Sequence, residues 1–145
     1  MIQRKQSLWL LLAALVNCCI LFLDLYRWHE SNNGTDVLHQ LKVTDHFPSL
    51  LLVLVMTALP AVTVFMYRQR KRQINMSLLS ILVTAGFIAL MLVRVSALGS
   101  MTPPPLSGSY WVGSVLPVIS LVFIVLAIVG IRKDDKLVKS MDRLR

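Results

Sequence analysis

Four long apolar runs separated by short polar segments constrain this chain more than any other feature. The middle two, Ser49 to Met66 and Met76 to Leu98, flank a basic cluster at Tyr67 to Gln73. Such a cluster is excluded from lipid, and short loops rich in Lys and Arg stay on the cytoplasmic side of a membrane. The pattern therefore predicts two membrane helices before the cluster and two after it, with both termini cytoplasmic.

The composition agrees with a multi-pass membrane protein. Of the 145 residues, 56% are hydrophobic and 15% are charged, whereas soluble domains have about 25% charged residues. A hydrocarbon core of about 30 Å requires about 20 helical residues per crossing. We expect an all-α membrane protein that forms a single domain over residues 1–145, with a bundle of four antiparallel transmembrane helices and a short amphipathic C-terminal helix. The predicted spans are 8–25, 48–67, 76–98 and 110–131, followed by a cytoplasmic tail at 132–145.

The distribution of charge supports this orientation. Of the 15 Lys and Arg residues, twelve fall on the predicted cytoplasmic side, Arg27 and Lys42 fall outside, and Arg94 lies within a span. Trp and Tyr residues all fall at predicted span boundaries, where their amphipathic rings are favoured. The basic charge is thus interpreted first as topology and as contact with anionic lipids of the cytoplasmic leaflet. Direct contact with nucleic acid or the ribosome is the less favoured interpretation.

Two external segments connect the spans. In the longer one, Tyr26 to Phe47, the stretch from Val37 to His46 is predicted to form a short interfacial helix after a turn at Asn32 to Gly34. The shorter one, Gly99 to Ser109, carries three consecutive prolines that favour an extended path. Within the second span, Pro60 predicts a kink.

Polar residues inside the spans are the candidates for intramembrane function. Asn17 shares a helical face with Ala13 and Asp24, and we expect it to form interhelical hydrogen bonds with Ser80 and Thr84 at matching depth. The alternative role for Asn17 is binding a substrate. Asp24 and Arg94 are predicted to pair with each other, as a structural ion pair or as a functional one.

The sequence contains no recognised catalytic or phosphate-binding motif, so we expect neither enzymatic activity nor a cofactor. Cys18 and Cys19 are interpreted as apolar packing groups. His29, His39 and His46 match no zinc signature, although His39 and His46 would share a face of the expected interfacial helix. A metal-dependent enzyme at the outer surface is therefore retained only as an alternative.

The tail is predicted to continue the fourth helix, with apolar residues on one face and cations flanking it. Together with the central cluster it forms the candidate surface for a protein partner or for lipid. The candidate residues are Arg68, Arg70, Lys71, Arg72, Arg132, Lys133, Lys136, Leu137, Lys139, Met141, Arg143 and Arg145.

Three segments resemble a known family. They are Met1 to Gln6, Tyr67 to Gln73, and the ending Gly130 to Arg145, which reads GIRKDDKLVKSMDRLR. The chain is similar over its whole length to the small four-span inner-membrane proteins of Bacteroidota called domain of unknown function 4293. Asp135 stands where that family usually has Glu. The resemblance implies a bacterial cytoplasmic membrane location and brings no activity, cofactor or catalytic residue.

From these observations we expect a non-enzymatic accessory or scaffold subunit of a larger bacterial inner-membrane assembly, docked through its basic loop and tail. The alternative is a small transporter or channel-like protein that uses Asn17, Ser80, Thr84 and the Asp24–Arg94 pair.

Overall fold

A computed structural model describes residues 5–32, 35–66, 69–99 and 107–142. The helices and strands follow one another as α1 (Lys5–Cys19), β1 (Tyr26–Asn32), β2 (Thr35–Leu41), α2 (Phe47–Phe65), α3 (Arg70–Leu98), β3 (Ser107–Tyr110) and α4 (Val112–Asp142). The described chain is mostly helical, but the expectation of an all-α fold is wrong because three short strands form a sheet.

Helices α2, α3 and α4 are each long and apolar enough to cross a membrane. They overlap the predicted spans closely, although α3 begins six residues before predicted residue 76 and α4 runs eleven residues beyond predicted residue 131. Helix α1 is shorter than predicted, because it ends at Cys19 and the chain continues in turns up to Phe22. The expected continuation of the last helix into the tail is confirmed as far as Asp142.

The helices pack in a ring: α1 packs against α2 and α4, and α3 packs against the same two helices. Helices α1 and α3 therefore lie diagonally opposite each other. Large apolar side chains such as Phe22, Phe65 and Leu82 point outward and are 81%, 80% and 69% exposed. An exterior of this kind is expected for helices solvated by lipid.

Contacts at the helix ends show how neighbouring helices run. The start of α1, at Gln6, lies against Gly130 near the end of α4, while Gly113 at the start of α4 donates to the Asp24 carbonyl at 3.1 Å. On the other side, Gln73 of α3 donates to the Thr63 carbonyl of α2. Neighbouring helices are thus antiparallel in these pairs. We call the end with Gln6 and Gly130 the basic end and the opposite end, with Asp24 and Gly113, the sheet end.

Two apolar clusters fill the interior between the helices. The sheet-side cluster contains Ile20, Leu25, Val43, Val53, Met56, Phe87 and Met91. The basic-side cluster contains Ala13, Ile124 and Ile128, with Ile81 and Phe123 packed against it. Close van der Waals packing of these side chains holds the helices together, since lipid tails are as apolar as the side chains and supply no hydrophobic driving force between helices.

A three-stranded antiparallel sheet caps the sheet end, with strand order β2-β1-β3. The predicted interfacial helix is therefore wrong, since residues 35–41 form β2 paired with β1. The sequence did contain a hairpin signal, Asn33-Gly34 between two short runs. Strand β3 comes from the other external segment, so α4 begins at Val112 and not at Tyr110. The three prolines of that segment lie outside the described residues.

Aromatic pairs and backbone hydrogen bonds fix the sheet on the helices. The rings of Tyr26 and Tyr110 lie 5.3 Å apart on directly opposite positions of β1 and β3. The Leu25 amide donates to the Leu41 carbonyl at 2.8 Å, and the Trp111 amide donates to the Leu25 carbonyl at 3.0 Å. A Cβ atom at Gly108 of β3 would overlap the Tyr26 ring, so a larger residue at this position would require the ring to move.

Candidate functional site

At the basic end, Arg70 links the start of α3 to the end of α4. Its Nη1 atom donates to the Asp134 carbonyl at 3.2 Å and lies 3.8 Å from the Asp135 carboxylate. Both charged side chains are half-buried. An ion pair with this exposure contributes little stability, typically about 0–1 kcal/mol. Its consequence is geometric: the central basic segment and the tail form one surface.

This surface, which we call the basic face, presents exposed cations from both segments. Lys71 and Arg72 follow Arg70 on the first turn of α3, and Arg132, Lys133 and Lys136 surround Asp134 and Asp135 on α4. The structure thus brings the two predicted groups of cations together. Of the remaining candidates, Arg68, Arg143 and Arg145 lie outside the described residues, and Leu137, Lys139 and Met141 lie in α4 with side chains that are not described.

Asn17 lies in the last turn of α1 and is fully buried in the interior of the helix bundle. Its Nδ2 atom donates to the Met56 carbonyl of α2 at 2.8 Å. Met56 precedes Pro60 by four residues, and proline has no amide hydrogen to donate to that carbonyl. The Asn17 amide therefore supplies the hydrogen bond that Pro60 removes from α2, which is how proline is tolerated in a membrane helix.

The expected partnership of Asn17 with Ser80 and Thr84 is wrong. The Ser80 hydroxyl donates to the Met76 carbonyl at 2.9 Å, and the Thr84 hydroxyl donates to the Ser80 carbonyl at 2.8 Å. Both bonds stay within α3. The reason lies in the helix arrangement, since α3 is diagonal to α1 whereas α2 is its direct neighbour.

The expected pairing of Asp24 with Arg94 is also wrong. Asp24 accepts from Arg27 at 2.6 Å and 2.9 Å, and Lys42 lies 3.9 Å away. Arg94 instead donates to the Ser49 hydroxyl at 3.4 Å. The turns after Cys19 bring Asp24 beside the first residues of β1, so its partners come from the sheet and not from α3.

Comparison with protein families identifies the chain. A family model described as Domain of unknown function (DUF4293) matches residues 2–144. The chain belongs to this family. No curated protein and no solved structure matches it.

In this DUF4293 protein, sequence reasoning named Ser80 and Thr84 but missed the buried polar side chains of Gln73, Ser77 and Ser120. Gln73, Ser77, Ser80 and Thr84 form a stripe on α3 that faces the interior, and all four are fully buried. Their spacing of four, three and four residues places them on one helical face. That periodicity was available in the sequence and would have predicted the stripe. On α4, Ser120 is also fully buried.

The histidines of the DUF4293 chain do not converge. His39, in β2, lies 3.3 Å from the Glu30 carboxylate and stacks on Trp28, while His46 precedes α2 and bonds to Ser49 at 2.9 Å. Since His39 belongs to a strand, the expected helical face shared with His46 is wrong. Within the described ranges, no three side chains of His, Cys, Asp or Glu come together as metal ligands.

An open pocket of about 300 Å³ is lined by residues of all three strands and by Trp111. Arg27, His29 and Trp111 form part of its lining. The Arg27 guanidinium stacks over the Trp111 ring at 4.0 Å while it pairs with Asp24. These contacts hold Arg27 in place, so its first role is to join the sheet to the start of α4.

Proposed function

We propose that this protein is a non-enzymatic accessory or scaffold subunit of a larger assembly in the bacterial inner membrane. In this proposal it crosses the membrane four times, has both termini in the cytoplasm and docks through the basic face. The observation that carries the proposal is the Arg70 contact with Asp134 and Asp135, which joins the two basic segments into one surface.

The depth of α1 supports four crossings. Gln6 lies level with Gly130, and the Asp24 carbonyl accepts from Gly113. Residues 6–24 therefore run beside residues 113–130 of α4, a helix that is long and apolar enough to cross a membrane. Eighteen residues of helix rise about 27 Å, close to the thickness of the hydrocarbon core. Lys and Arg at the basic end then favour a cytoplasmic location for that end.

The charges of the basic face favour a protein partner over lipid alone. Asp134 and Asp135 lie among the cations of α4, and acidic groups weaken attraction to an anionic leaflet. Residues 136–142 also continue as helix past the level of the Arg70 contact, which extends the helix by about 10 Å. A helix that projects with mixed charges suits a complementary protein surface, while flanking cations such as Lys71 and Arg72 contact anionic headgroups.

Transport has less support from the geometry. Ser80 and Thr84 use their hydroxyl hydrogens within α3, and Asp24 and Arg94 are engaged with other residues. Asn17 donates through Nδ2 to the Met56 carbonyl, so each residue named for a transport pathway makes at least one structural contact.

Co-purification tests the docking proposal. The tagged chromosomal protein is isolated in mild detergent, and accompanying proteins are identified by mass spectrometry. We expect a stoichiometric membrane-protein partner that is lost from a triple variant carrying Arg132→Glu, Lys133→Glu and Lys136→Glu. A matched variant with Arg132→Lys, Lys133→Arg and Lys136→Arg keeps the charge and should keep the partner.

Two outcomes would contradict the proposal. One is a protein that migrates alone in native gels at endogenous levels. The other is a partner retained by the charge-reversed variant, which would show that docking uses a different surface. If charge reversal abolishes only binding to vesicles containing anionic phospholipid, the basic face is a lipid contact.

A further inference from the structure

Three buried polar side chains lie at the boundary between the two apolar clusters. On α1, Asn17 lies between Ala13 of the basic-side cluster and Ile20 of the sheet-side cluster. On α3, Thr84 lies between Ile81 and Phe87, which belong to the same two groups. On α4, Ser120 separates Leu116 from Ile124 in the same way.

On each of the three helices, the side chains before and after this residue belong to different apolar clusters. Asn17, Thr84 and Ser120 therefore lie at one depth in the bundle, which we call the mid-span layer. All three are fully buried. The layer also holds the Met56 carbonyl of α2, because Asn17 is bonded to it. Each helix therefore contributes a polar group to the layer. The apolar sheet-side cluster lies on one side of it, and the basic-side cluster together with Ser80 of α3 lies on the other.

Two atoms of the mid-span layer have no hydrogen-bond partner. They are Oδ1 of Asn17 and Oγ of Ser120. Leaving buried polar atoms unpaired costs the desolvation of each group, and native proteins pair the great majority of them. The bond from Nδ2 to the Met56 carbonyl fixes the Asn17 amide, so Oδ1 is held in the interior as an acceptor. The Thr84 hydroxyl donates within α3 and retains capacity to accept.

We propose that the mid-span layer binds water, which joins Asn17 Oδ1 to Ser120 Oγ. Water donates to the amide oxygen and exchanges a hydrogen bond with the serine hydroxyl, and Thr84 Oγ1 offers a third partner. Buried waters typically make about three such bonds. The polar groups that define the layer are all uncharged, so an ion would lose its hydration shell without gaining a counter-charge. This inference is independent of the docking proposal.

A double-mutant cycle tests the shared water through thermal unfolding of the full-length protein in detergent. Ser120→Ala gives opposite results for a hydrated and a dry layer. A water-bound hydroxyl stabilises the fold, so its removal should lower the Tm by about 2–4 °C, whereas removing a dry unpaired hydroxyl would raise it. With Asn17→Leu already present, we expect Ser120→Ala to have less effect, because both variants disrupt the same water-mediated contact.

Ser96→Ala is the matched control, since the Ser96 hydroxyl is exposed and bonds to Val93 within α3. Its Tm shift should add to that of Asn17→Leu. If Asn17→Leu does not fold, Thr84→Val replaces it in the cycle. Additive shifts for the layer residues, or a Ser120→Ala protein as stable as the unaltered one, would overturn the proposal.

A direct bond between the two side chains would also give coupling, so a second measurement is needed. Nuclear Overhauser spectra in deuterated detergent should show a cross-peak between water and the Asn17 side-chain amide protons. Absence of this cross-peak would overturn the assignment of water even if the cycle shows coupling.

Discussion

The Asn17 side-chain amide donates to the Met56 carbonyl, the acceptor that Pro60 leaves without a partner in α2. One polar side chain on α1 thus compensates for a proline on the neighbouring helix. In lipid no water replaces such a bond from outside. The contact therefore ties the register of α1 to the position of the proline in α2.

Replacing Asn17 should destabilise the protein through the Met56 carbonyl. We expect Asn17→Leu to cost about 1–3 kcal/mol, the penalty for an unpaired buried group. In a Pro60→Ala background the residue-60 amide can bond to Met56, so the same substitution should cost less. Thermal or steric-trap unfolding measures both values. Leu15→Ala, at a position that is 55% exposed, is the control. An equal cost of Asn17→Leu in both backgrounds would rule out the compensation.

Gly113 permits close contact between α4 and the turn after α1. A Cβ atom at this position would lie 2.5 Å from the Asp24 carbonyl oxygen and 3.2 Å from that of Leu23. Because both are backbone atoms, we expect Gly113→Ala to destabilise the fold by about 1–3 kcal/mol, as overpacking does.

Gly86→Ala is the matched control for Gly113→Ala. A Cβ atom at Gly86 meets nothing within 4 Å, and alanine is favoured over glycine within a helix by up to about 1 kcal/mol. We expect this variant to be as stable as the unaltered protein or more stable. Equal Tm values for the two alanine variants would contradict the close approach at Gly113.

Asp24 and Arg27 form an ion pair at the sheet end, with two hydrogen bonds to the same carboxylate oxygen. Hydrogen bonds to charged groups contribute about 1.5–3 kcal/mol, and the partial exposure of Arg27 favours the low end of that range. A double-mutant cycle with Asp24→Asn and Arg27→Gln should show positive coupling. The corresponding cycle with Arg94→Gln should be additive within about 0.5 kcal/mol. Coupling to Arg94 instead would restore the pairing predicted from sequence.

Arg70 should hold the end of α4 against α3. We expect Arg70→Gln to increase the rate of tryptic cleavage at residues 132–139 several-fold while changing global stability by less than about 1 kcal/mol. Mass spectrometry of timed digests identifies the cleaved bonds. Arg72→Gln serves as the charge-matched control, because Arg72 is exposed on the first turn of α3 and makes no described contact with α4. Identical digestion of the two variants would show that the contact does not order the tail.

Sequence patterns were sufficient where local forces decide the structure. Long apolar runs predict α2, α3 and α4, since a segment in lipid must satisfy its backbone hydrogen bonds internally. The family was also recognisable from the ending Gly130 to Arg145, and the match of the family model to residues 2–144 confirms it. The candidate cations of the basic face could also be named from sequence, because charge is a property of each residue regardless of its neighbours.

The tertiary structure decided everything that joins segments distant in the chain. Strand β3 lies more than 70 residues after β1 in sequence, so no local pattern showed that these two strands pair. The partners of Asn17, Asp24 and Arg94 depend on which helices are neighbours and where α1 ends. Helix formation is a matter of local hydrogen bonds, whereas pairing of strands and of buried polar groups is fixed only when the whole chain packs.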